Sequence, residues 1–174
     1  MPSVKEEIQQ SRPFASLADE GVVTLLRTAD TVRRALSEVV APHGVTLQQY
    51  NVLRILRGAG DDGLPTLDVA ARMIETTPGI TRLLERLERK GLVARRRCPH
   101  DQRRVLCFAS EAALDTLRAL DGPMSDAGRR ALGSLGAVRT TELIRLLDDA
   151  RSAAAPPTVP HVEEERRPEK ETCR

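Results

Sequence analysis

The stretch from Thr66 to Ala109 limits most tightly how this chain can fold, because two short amphipathic patterns run there directly into an alternating, arginine-rich segment. In the first pattern, four apolar residues have the i, i+3, i+4, i+7 spacing that places side chains on one face of a helix. These residues are Leu67, Ala70, Ala71 and Ile74. Thr66 precedes them and is suited to the N-cap of the predicted helix.

A second amphipathic pattern begins a few residues later and predicts a second helix. Its apolar face consists of Ile80, Leu83, Leu84 and Leu87. Thr77 can cap this helix, Pro78 fits the first helical position, and Gly91 fits the left-handed stop. Only Glu75 and Thr76 then remain between the two helices, so the pair must turn sharply, as in a helix-turn-helix.

The other face of the second predicted helix is polar and rich in guanidinium groups. It carries Thr77, Thr81, Arg82, Glu85, Arg86 and Arg89. Beyond Gly91, residues 92–97 and 103–109 have the apolar and β-branched character of two strands, joined by the polar sequence Pro-His-Asp-Gln. The predicted hairpin is also basic. Its arginines are Arg95, Arg96, Arg97, Arg103 and Arg104.

The positive charge of the chain is concentrated in this unit. From Arg72 to Arg104, ten Lys or Arg residues stand against four Asp or Glu residues, a local charge of +6. The whole chain has a formal net charge of +2, so the remainder carries −4. A basic patch on a helix and a hairpin is typical of a protein that binds the phosphate backbone of nucleic acid.

Three segments of the chain resemble the MarR-type winged helix-turn-helix transcriptional regulators. They are Leu47-Gln-Gln-Tyr-Asn-Val-Leu-Arg-Ile-Leu, Thr81-Arg-Leu-Leu-Glu-Arg-Leu-Glu-Arg-Lys-Gly-Leu-Val-Ala-Arg, and Asp101-Gln-Arg-Arg. The most specific part is Leu-Glu-Arg-Lys-Gly-Leu-Val followed about ten residues later by Asp-x-Arg-Arg, and the resemblance extends from about Ser16 to Ala154. It implies a mostly α fold with a small β-hairpin wing, and a homodimeric, ligand-responsive repressor that binds a pseudopalindromic operator.

The candidate DNA contacts follow from the helix-turn-helix pattern and from the resemblance. The N-terminal half of such a second helix enters the major groove, where Arg can donate two hydrogen bonds to guanine and Thr offers a hydroxyl or methyl group. By resemblance, Arg103 reaches the adjacent minor groove, whose negative potential attracts a guanidinium, Arg97 or Arg104 contacts phosphate, and Asp101 shapes the turn. The candidate set is Thr66, Thr77, Pro78, Thr81, Arg82, Arg86, Arg97, Asp101, Arg103 and Arg104.

Other interpretations of the same residues stay open at this point. The polar face of the second helix could be a solvated surface on which Arg82, Glu85, Arg86 and Arg89 pair with one another. The fold could also serve as a protein-interaction module, although stacked arginines do not favour this interpretation, or as an architectural protein that binds any DNA duplex alike.

The segments outside this unit predict further helices and a domain plan. Residues 17–41 form a long amphipathic pattern ending at Pro42-His43-Gly44, and Ser110 can cap a later helix that Gly122-Pro123 should break or kink. Thr46 and Gln49 should form a capping box for the helix that follows Gly44, whose Tyr50, Leu53 and Leu56 should pack under the helix-turn-helix. Thr140 or Thr141 should open a last helix. We predict a flexible arm over residues 1–15, a winged-helix domain over 16–155 and a disordered tail over 156–174. By the resemblance, residues 46–109 of this domain are expected to form the DNA-binding lobe, and residues 16–41 and 110–155 the dimerisation helices.

Composition narrows the class of protein further. With 174 residues and 40% hydrophobic content, the chain can bury one core, and aromatic residues at 2% leave Leu, Val, Ile and Ala to build it. No long apolar run or leader is apparent, which predicts a cytoplasmic protein. The three cysteines and three histidines match no metal template, and no Ser-His-Asp or Cys-His order stands out, so neither catalysis nor a cofactor is expected. Cys107 should pack in the core, whereas Cys98 at the wing tip is either an inert or a sensing thiol.

The resemblance also implies a small aromatic or anionic effector, which relatives often bind in a cleft between the dimer helices and the DNA lobe. Arg33, His43 and Tyr50 are the candidates for contacting such a ligand. Each also has a purely structural interpretation: Arg33 on a solvated face, His43 at a helix end, and Tyr50 as a core aromatic residue.

Overall fold

The computed structural model describes residues 2–76, 78–97 and 105–154. The described chain is mostly helical, with one small antiparallel sheet. Its helices are α1 (Val4–Glu7), α2 (Leu17–Val40), α3 (Leu47–Ala59), α4 (Thr66–Ala71), α5 (Ile80–Arg89), α6 (Glu111–Leu132) and α7 (Gly136–Ala154). Its strands are β1 (Leu64–Pro65), β2 (Val93–Arg97) and β3 (Val105–Ala109). Within the described ranges, no helix is long and apolar enough to cross a membrane.

The predicted fold class is confirmed: the helix-turn-helix is followed by a two-stranded wing. β2 pairs antiparallel with β3, with Val93 opposite Ala109 and Arg97 opposite Val105. β1 adds a third strand on the other side of β3, where Leu64 lies opposite Cys107. The sequence analysis did not predict β1, because a strand of two residues is too short to show periodicity.

The core lies where α3, α5, α6 and the sheet meet. Tyr50, Leu53 and Leu56 of α3 are buried as predicted, and so is Cys107 of β3. Fully burying a Leu side chain contributes roughly 1.5–3 kcal/mol relative to exposure, so this aliphatic cluster holds the small domain together. Its other fully buried large members include Val40, Val52, Val69, Leu84, Leu87, Leu117 and Leu120.

Several predicted helix ends are confirmed at the level of hydrogen bonds. The backbone N–H of Gln49 donates to Thr46 Oγ1 and the N–H of Thr46 to Gln49 Oε1, both at 3.2 Å, which is the predicted capping box of α3. Ser110 Oγ accepts from the N–H of Ala113 at 3.2 Å and caps α6. Helix α2 ends at Val40, before a short 3₁₀ turn over Ala41–His43.

The turn between α4 and α5 is longer than predicted. Helix α4 ends at Ala71 and α5 begins only at Ile80, so residues 72–79 connect them. Gly79 has φ +85° and occupies the N-cap position, which places Pro78 before the helix rather than at its first position. The predicted cap Thr77 lies outside the described residues.

The predicted apolar face of α4 is also wrong. Leu67 and Ile74 are about four-fifths exposed, at 79% and 82%, whereas Val69 is fully buried. Because the helix ends at Ala71, Ile74 is not part of the face on which the pattern placed it. Thr66 is not the N-cap either: Pro65 holds that position, and Thr66 Oγ1 lies 3.9 Å from Cys107 Sγ.

The C-terminal helices differ from their predicted boundaries. Helix α6 continues through Pro123, since Leu120 and Ala127 on either side are buried and their packing offsets the lost backbone hydrogen bond. Helix α7 begins at Gly136, and Thr141 donates to the carbonyl of Ala137 at 3.0 Å instead of capping.

The structure describes most of the predicted N-terminal arm but not the predicted C-terminal tail. The predicted arm includes the one-turn helix α1, joined to α2 by an ion pair between Glu7 and Arg27 at 3.2 Å. The predicted tail over residues 156–174 lies outside the described residues.

Candidate nucleic-acid interface

Helix α5 has one buried and one exposed face, as the sequence pattern predicted. Ile80, Leu83, Leu84 and Leu87 are buried. The opposite face is exposed and polar, and it consists of Thr81, Arg82, Glu85, Arg86 and Arg89. Within the part of the chain that the structure describes, no ion pair joins these arginines to Glu85. The exposed guanidinium groups are therefore available to an outside partner.

The end of α5 is fixed by local backbone geometry. Gly91 has φ +71°, which is the left-handed conformation that glycine adopts at low cost. The N–H of Gly91 donates to the carbonyl of Glu88 at 2.8 Å, and the N–H of Leu92 donates to that of Leu87 at 2.9 Å. This stop turns the chain straight into β2, so the wing follows the helix without a flexible connection.

Arginines of β2 face different surroundings. Arg95 Nη2 lies 2.6 Å from Glu88 Oε2 of α5, and this hydrogen-bonded carboxylate raises the pKa of Arg95 above its ordinary value. The guanidinium of Arg96 lies 5.4 Å from the centre of the Phe108 ring, within the range of a cation–π contact. Arg97 is exposed at the end of the strand. Arg95 thus ties the wing to α5, the Arg96 contact joins β2 to β3, and Arg97 faces solvent.

The structure brings only part of the predicted DNA-contacting set to one surface. Thr81, Arg82 and Arg86 share the exposed face of α5, and Pro78 is exposed just before this helix. Thr66 is half-buried beside Cys107. Four of the predicted residues lie outside the described residues, as do Cys98 and its neighbours in the wing. The four are Thr77, Asp101, Arg103 and Arg104.

A cleft of about 320 Å³ lies between the long helix α2, the start of α3 and helix α5. Arg33 Nε donates to Glu75 Oε1 at 2.9 Å, so an ion pair joins α2 to the segment before α5. The backbone N–H of Ile74 donates to Asn51 Oδ1 at 3.0 Å and holds the same segment to α3. Arg86 of α5 also lines the cleft. A ligand in this cleft would contact both α2 and α5.

The three predicted ligand contacts do not lie together. Arg33 lines the cleft, but His43 and Tyr50 do not. His43 is exposed on the 3₁₀ turn, and Tyr50 is 5% exposed in the core, with the Arg54 guanidinium 5.9 Å from its ring centre. Sequence reasoning missed Glu75, which it had placed in a tight turn. The only available signal was an acidic residue within the basic segment.

Comparisons with known proteins agree with this architecture. The sequence model described as "MarR family" matches residues 43–104. The homoprotocatechuate degradative operon repressor of Escherichia coli is 26% identical over 131 residues, which are 75% of this chain and 87% of that protein. The crystal structure of a MarR transcription factor from Planctomyces limnophilus is 38% identical with a TM-score of 0.60, over 78% of this chain and 98% of that one.

A second solved structure is CouR from Rhodococcus jostii RHA1 bound to p-coumaroyl-CoA. It is 26% identical with a TM-score of 0.67, and the match covers 82% of this chain and 97% of CouR. The matches thus extend across both the DNA-binding lobe and the long helices around it. The chain belongs to the MarR family of winged helix-turn-helix transcriptional regulators and is a DNA-binding regulator of that class.

Proposed function

We propose that the protein is a homodimeric repressor that recognises the base sequence of a pseudopalindromic operator and responds to a small ligand. The observation that carries this proposal is the exposed, arginine-bearing face of α5 above its buried leucine face. Such a helix has its register fixed by the core while its polar groups stay free for base edges. Occupying a promoter requires no catalysis.

The proposed roles divide the candidate residues by the contacts they make. The base edges or phosphates of the major groove are contacted by Thr77, Thr81, Arg82 and Arg86, while Thr66 and Pro78 approach the neighbouring DNA backbone. In the wing, Arg103 enters the minor groove. Either Arg97 or Arg104 contacts phosphate, and Asp101 shapes the turn.

The unpartnered apolar surface of the outer helices supports a homodimer. Helix α7 has 19 residues and none of them is buried, although a helix of this kind is stable only when an apolar stripe packs against something. The exposed large apolar residues of α2 and α7 include Leu17, Val22, Leu26, Val138, Ile144 and Leu146. We therefore assign dimerisation to residues 16–41 and 110–155, and DNA binding to residues 46–109.

A two-fold arrangement sets the spacing of the two α5 helices. In dimeric helix-turn-helix proteins, these helices enter successive major grooves about 34 Å apart. A ligand that changes the distance between the two DNA-binding lobes of the dimer then prevents one α5 helix from reaching its half-site. The E. coli relative, which is named a repressor, supports negative regulation.

The cleft is the proposed ligand site. Arg33 and Arg86 bring two guanidinium groups to it, and the carboxylate of Glu75 holds Arg33 across the opening. An aromatic or aliphatic carboxylate fits this combination of charge and apolar wall. That CouR was solved with p-coumaroyl-CoA supports a small ligand for this chain too.

The ligand proposal is tested by the charge of the probe. Benzoate and benzamide have similar shapes and differ in charge, so only benzoate should weaken DNA binding, and Arg33→Gln should abolish that response. Equal effects of both compounds, or the same response in the Arg33→Gln variant, would contradict an anion site in the cleft.

The DNA-binding proposal is tested by selecting duplexes from a random-sequence pool with the purified protein. A sequence-reading dimer should enrich one motif with two-fold symmetry, its half-sites about 10 base pairs apart. An architectural DNA binder should retain duplexes without enriching a motif. A winged-helix protein-interaction module should retain none.

A further inference from the structure

One side chain joins the end of α5 to a distant part of the chain. Lys90 follows the last residue of α5, and its Nζ donates to the backbone carbonyl of Gly44 at 2.7 Å. The same ammonium donates to Gln49 Oε1 at 3.1 Å. Gly44 and Gln49 flank the start of α3, directly after the turn that ends α2. Lys90 therefore links the DNA-facing helix to the junction of α2 and α3.

The acceptors of Lys90 adjoin buried residues at the start of α3. Gly44 has φ +70°, and the following residue, Val45, is 4% exposed. Gln49 is also 4% exposed, and its Oε1 accepts from both the N–H of Thr46 and Lys90 Nζ. The carboxamide oxygen thus has two donors in fixed positions. A buried acceptor of this kind holds its donor to one distance and direction.

Contacts between α5 and the rest of the chain are otherwise mostly apolar. Its leucine face packs into the core, and Glu88 pairs with Arg95 of the neighbouring wing rather than with the helical scaffold. The Lys90 link therefore fixes the C-terminal end of α5 to the scaffold by directed hydrogen bonds. Helix α5 has 10 residues, about 15 Å at the usual rise. A tilt of about 10° at the Lys90 end would therefore move the Thr81 end by roughly 2–3 Å, which is enough to break base contacts.

We propose that Lys90 is a positioning residue for DNA reading: it sets the inclination of α5 on the α2–α3 junction and acts without touching DNA. This inference rests on the proposed sequence-specific binding. Lys90 is also one of the cations of the basic segment, so a direct phosphate contact is the competing explanation. The two differ in what they predict for non-specific DNA and for salt.

The test uses the duplex that the wild-type protein selects and a scrambled duplex of the same composition, each titrated at about 50 and about 200 mM salt. Lys90→Met should lose about tenfold affinity for the selected duplex and less than about twofold for the scrambled one. The slope of log affinity against log salt should stay unchanged. Lys90→Arg keeps a donor within reach of both acceptors and should retain most of the wild-type preference.

Two further variants separate position from charge. Gln49→Leu removes no charge, and it removes an acceptor of Lys90 together with the acceptor of the Thr46 N–H in the capping box. It should reproduce the selective loss. Lys5→Met makes the same substitution on the exposed surface of α1, outside the candidate interface, and it should not reproduce the selective loss. Melting curves followed by circular dichroism establish that each variant is folded at the assay temperature. If Lys90→Met does not fold, Gln49→Leu carries the test.

Other outcomes overturn the inference in recognisable ways. Equal losses on both duplexes, with a salt slope shallower by about 0.9, would identify Lys90 as a phosphate contact. Unchanged binding by folded Lys90→Met and Gln49→Leu would show that the link does not position the helix for reading. A wild-type protein that prefers neither duplex would instead remove the proposed function, and the role of Lys90 with it.

Discussion

Arg86 belongs both to the candidate DNA interface and to the candidate ligand cleft. It lies on the exposed face of α5 and lines the cleft, and its Nε donates to the carbonyl of Arg82 at 3.3 Å. If Arg86 reads a base, Arg86→Ala should cost about 1–3 kcal/mol of binding free energy on the selected duplex and little on a scrambled one. Fluorescence anisotropy titrations of both duplexes measure this difference.

Arg12→Ala is the matched control for that substitution, since it removes the same charge from the exposed N-terminal arm, outside the segments assigned to DNA binding and dimerisation. It should leave the ratio of the two affinities unchanged. Equal losses on both duplexes for Arg86→Ala would place Arg86 on a phosphate and remove it from the base readers.

Gly63 is a second residue whose environment permits a sharp prediction. It has φ +61°, and a Cβ built on it would lie 2.5 Å from Cε1 of Phe108. An alanine would therefore be strained in its backbone and would push against the ring that also contacts Arg96. We expect Gly63→Ala to lower the free energy of unfolding by about 1–3 kcal/mol, measured by urea denaturation.

Gly58→Ala provides the comparison for Gly63. Gly58 lies inside α3, and nothing approaches the position of its Cβ within 4 Å. Alanine should stabilise this helix by up to about 1 kcal/mol. If both variants changed stability in the same direction, the proposed strain at Gly63 would be wrong.

At the residue scale, the sequence predicts features that depend on local chemistry. The Thr46–Gln49 capping box, the Gly91 stop and the burial of Tyr50 and Cys107 all follow from neighbouring residues or from alternation. The exposure of Leu67 does not, because a pattern of apolar residues cannot show which face of α4 meets α3 and β3. Val69, which stood outside the pattern, is the residue that packs there.

The contact between α3 and α6 illustrates electrostatics at the scale of the elements. Arg57 donates to both carboxylate oxygens of Asp121 at 2.9–3.0 Å, and this guanidinium holds the pKa of Asp121 below its ordinary value. A carboxylate whose pKa is lower in the folded state adds stability above its unfolded pKa of about 3.9. That contribution is lost as the pH falls through the lower, folded value.

Asp121→Asn should therefore reduce the free energy of unfolding at neutral pH. The Asp121 side chain is 50% exposed, so solvent screens the pair and the loss should be at most about 1 kcal/mol. The difference from wild type should shrink at high salt and vanish at acid pH. Urea denaturation across a pH series measures it, with Asp62→Asn as the control, and a difference that persists below the folded pKa would contradict the ion-pair explanation.

The elements themselves were predicted better than their ends. The periodicity of α2, α3 and α5 is long and regular, whereas the start of α5 depends on whether Gly79 adopts a left-handed conformation. Pro123 was expected to end a helix, but the buried residues on both sides of it keep α6 continuous. Strand β1 exists because it pairs with β3, and no local pattern encodes that pairing.

At the scale of the whole molecule, helix α7 exposes apolar side chains that no other part of the described chain covers. Ile144 on α7 is 55% exposed. If α7 packs against a second copy, Ile144→Asp should convert a dimer to a monomer, because a buried charge without a partner is costly. Sedimentation velocity measures the mass, and Ser152→Asp on the same helix is the control. A wild-type monomer would contradict the proposed dimer.

The candidate site could be predicted only in part from the sequence, because some of its residues come from elements that are far apart along the chain. The exposed face of α5 follows from one helix and its charges, so Thr81, Arg82 and Arg86 were identified correctly as neighbours on one surface. The cleft joins α2, α3 and α5, which are far apart in sequence. Its ion pair between Arg33 and Glu75 could therefore be found only in three dimensions.

The central claim is that this regulator reads a DNA sequence, and a titration of the selected and scrambled duplexes at about 50 and about 200 mM salt tests it most directly. The account predicts tighter binding to the selected duplex, with a preference that persists at the higher salt because base contacts do not depend on counterion release. Equal and steeply salt-dependent binding to both duplexes would contradict it, since only attraction to the backbone charge would remain.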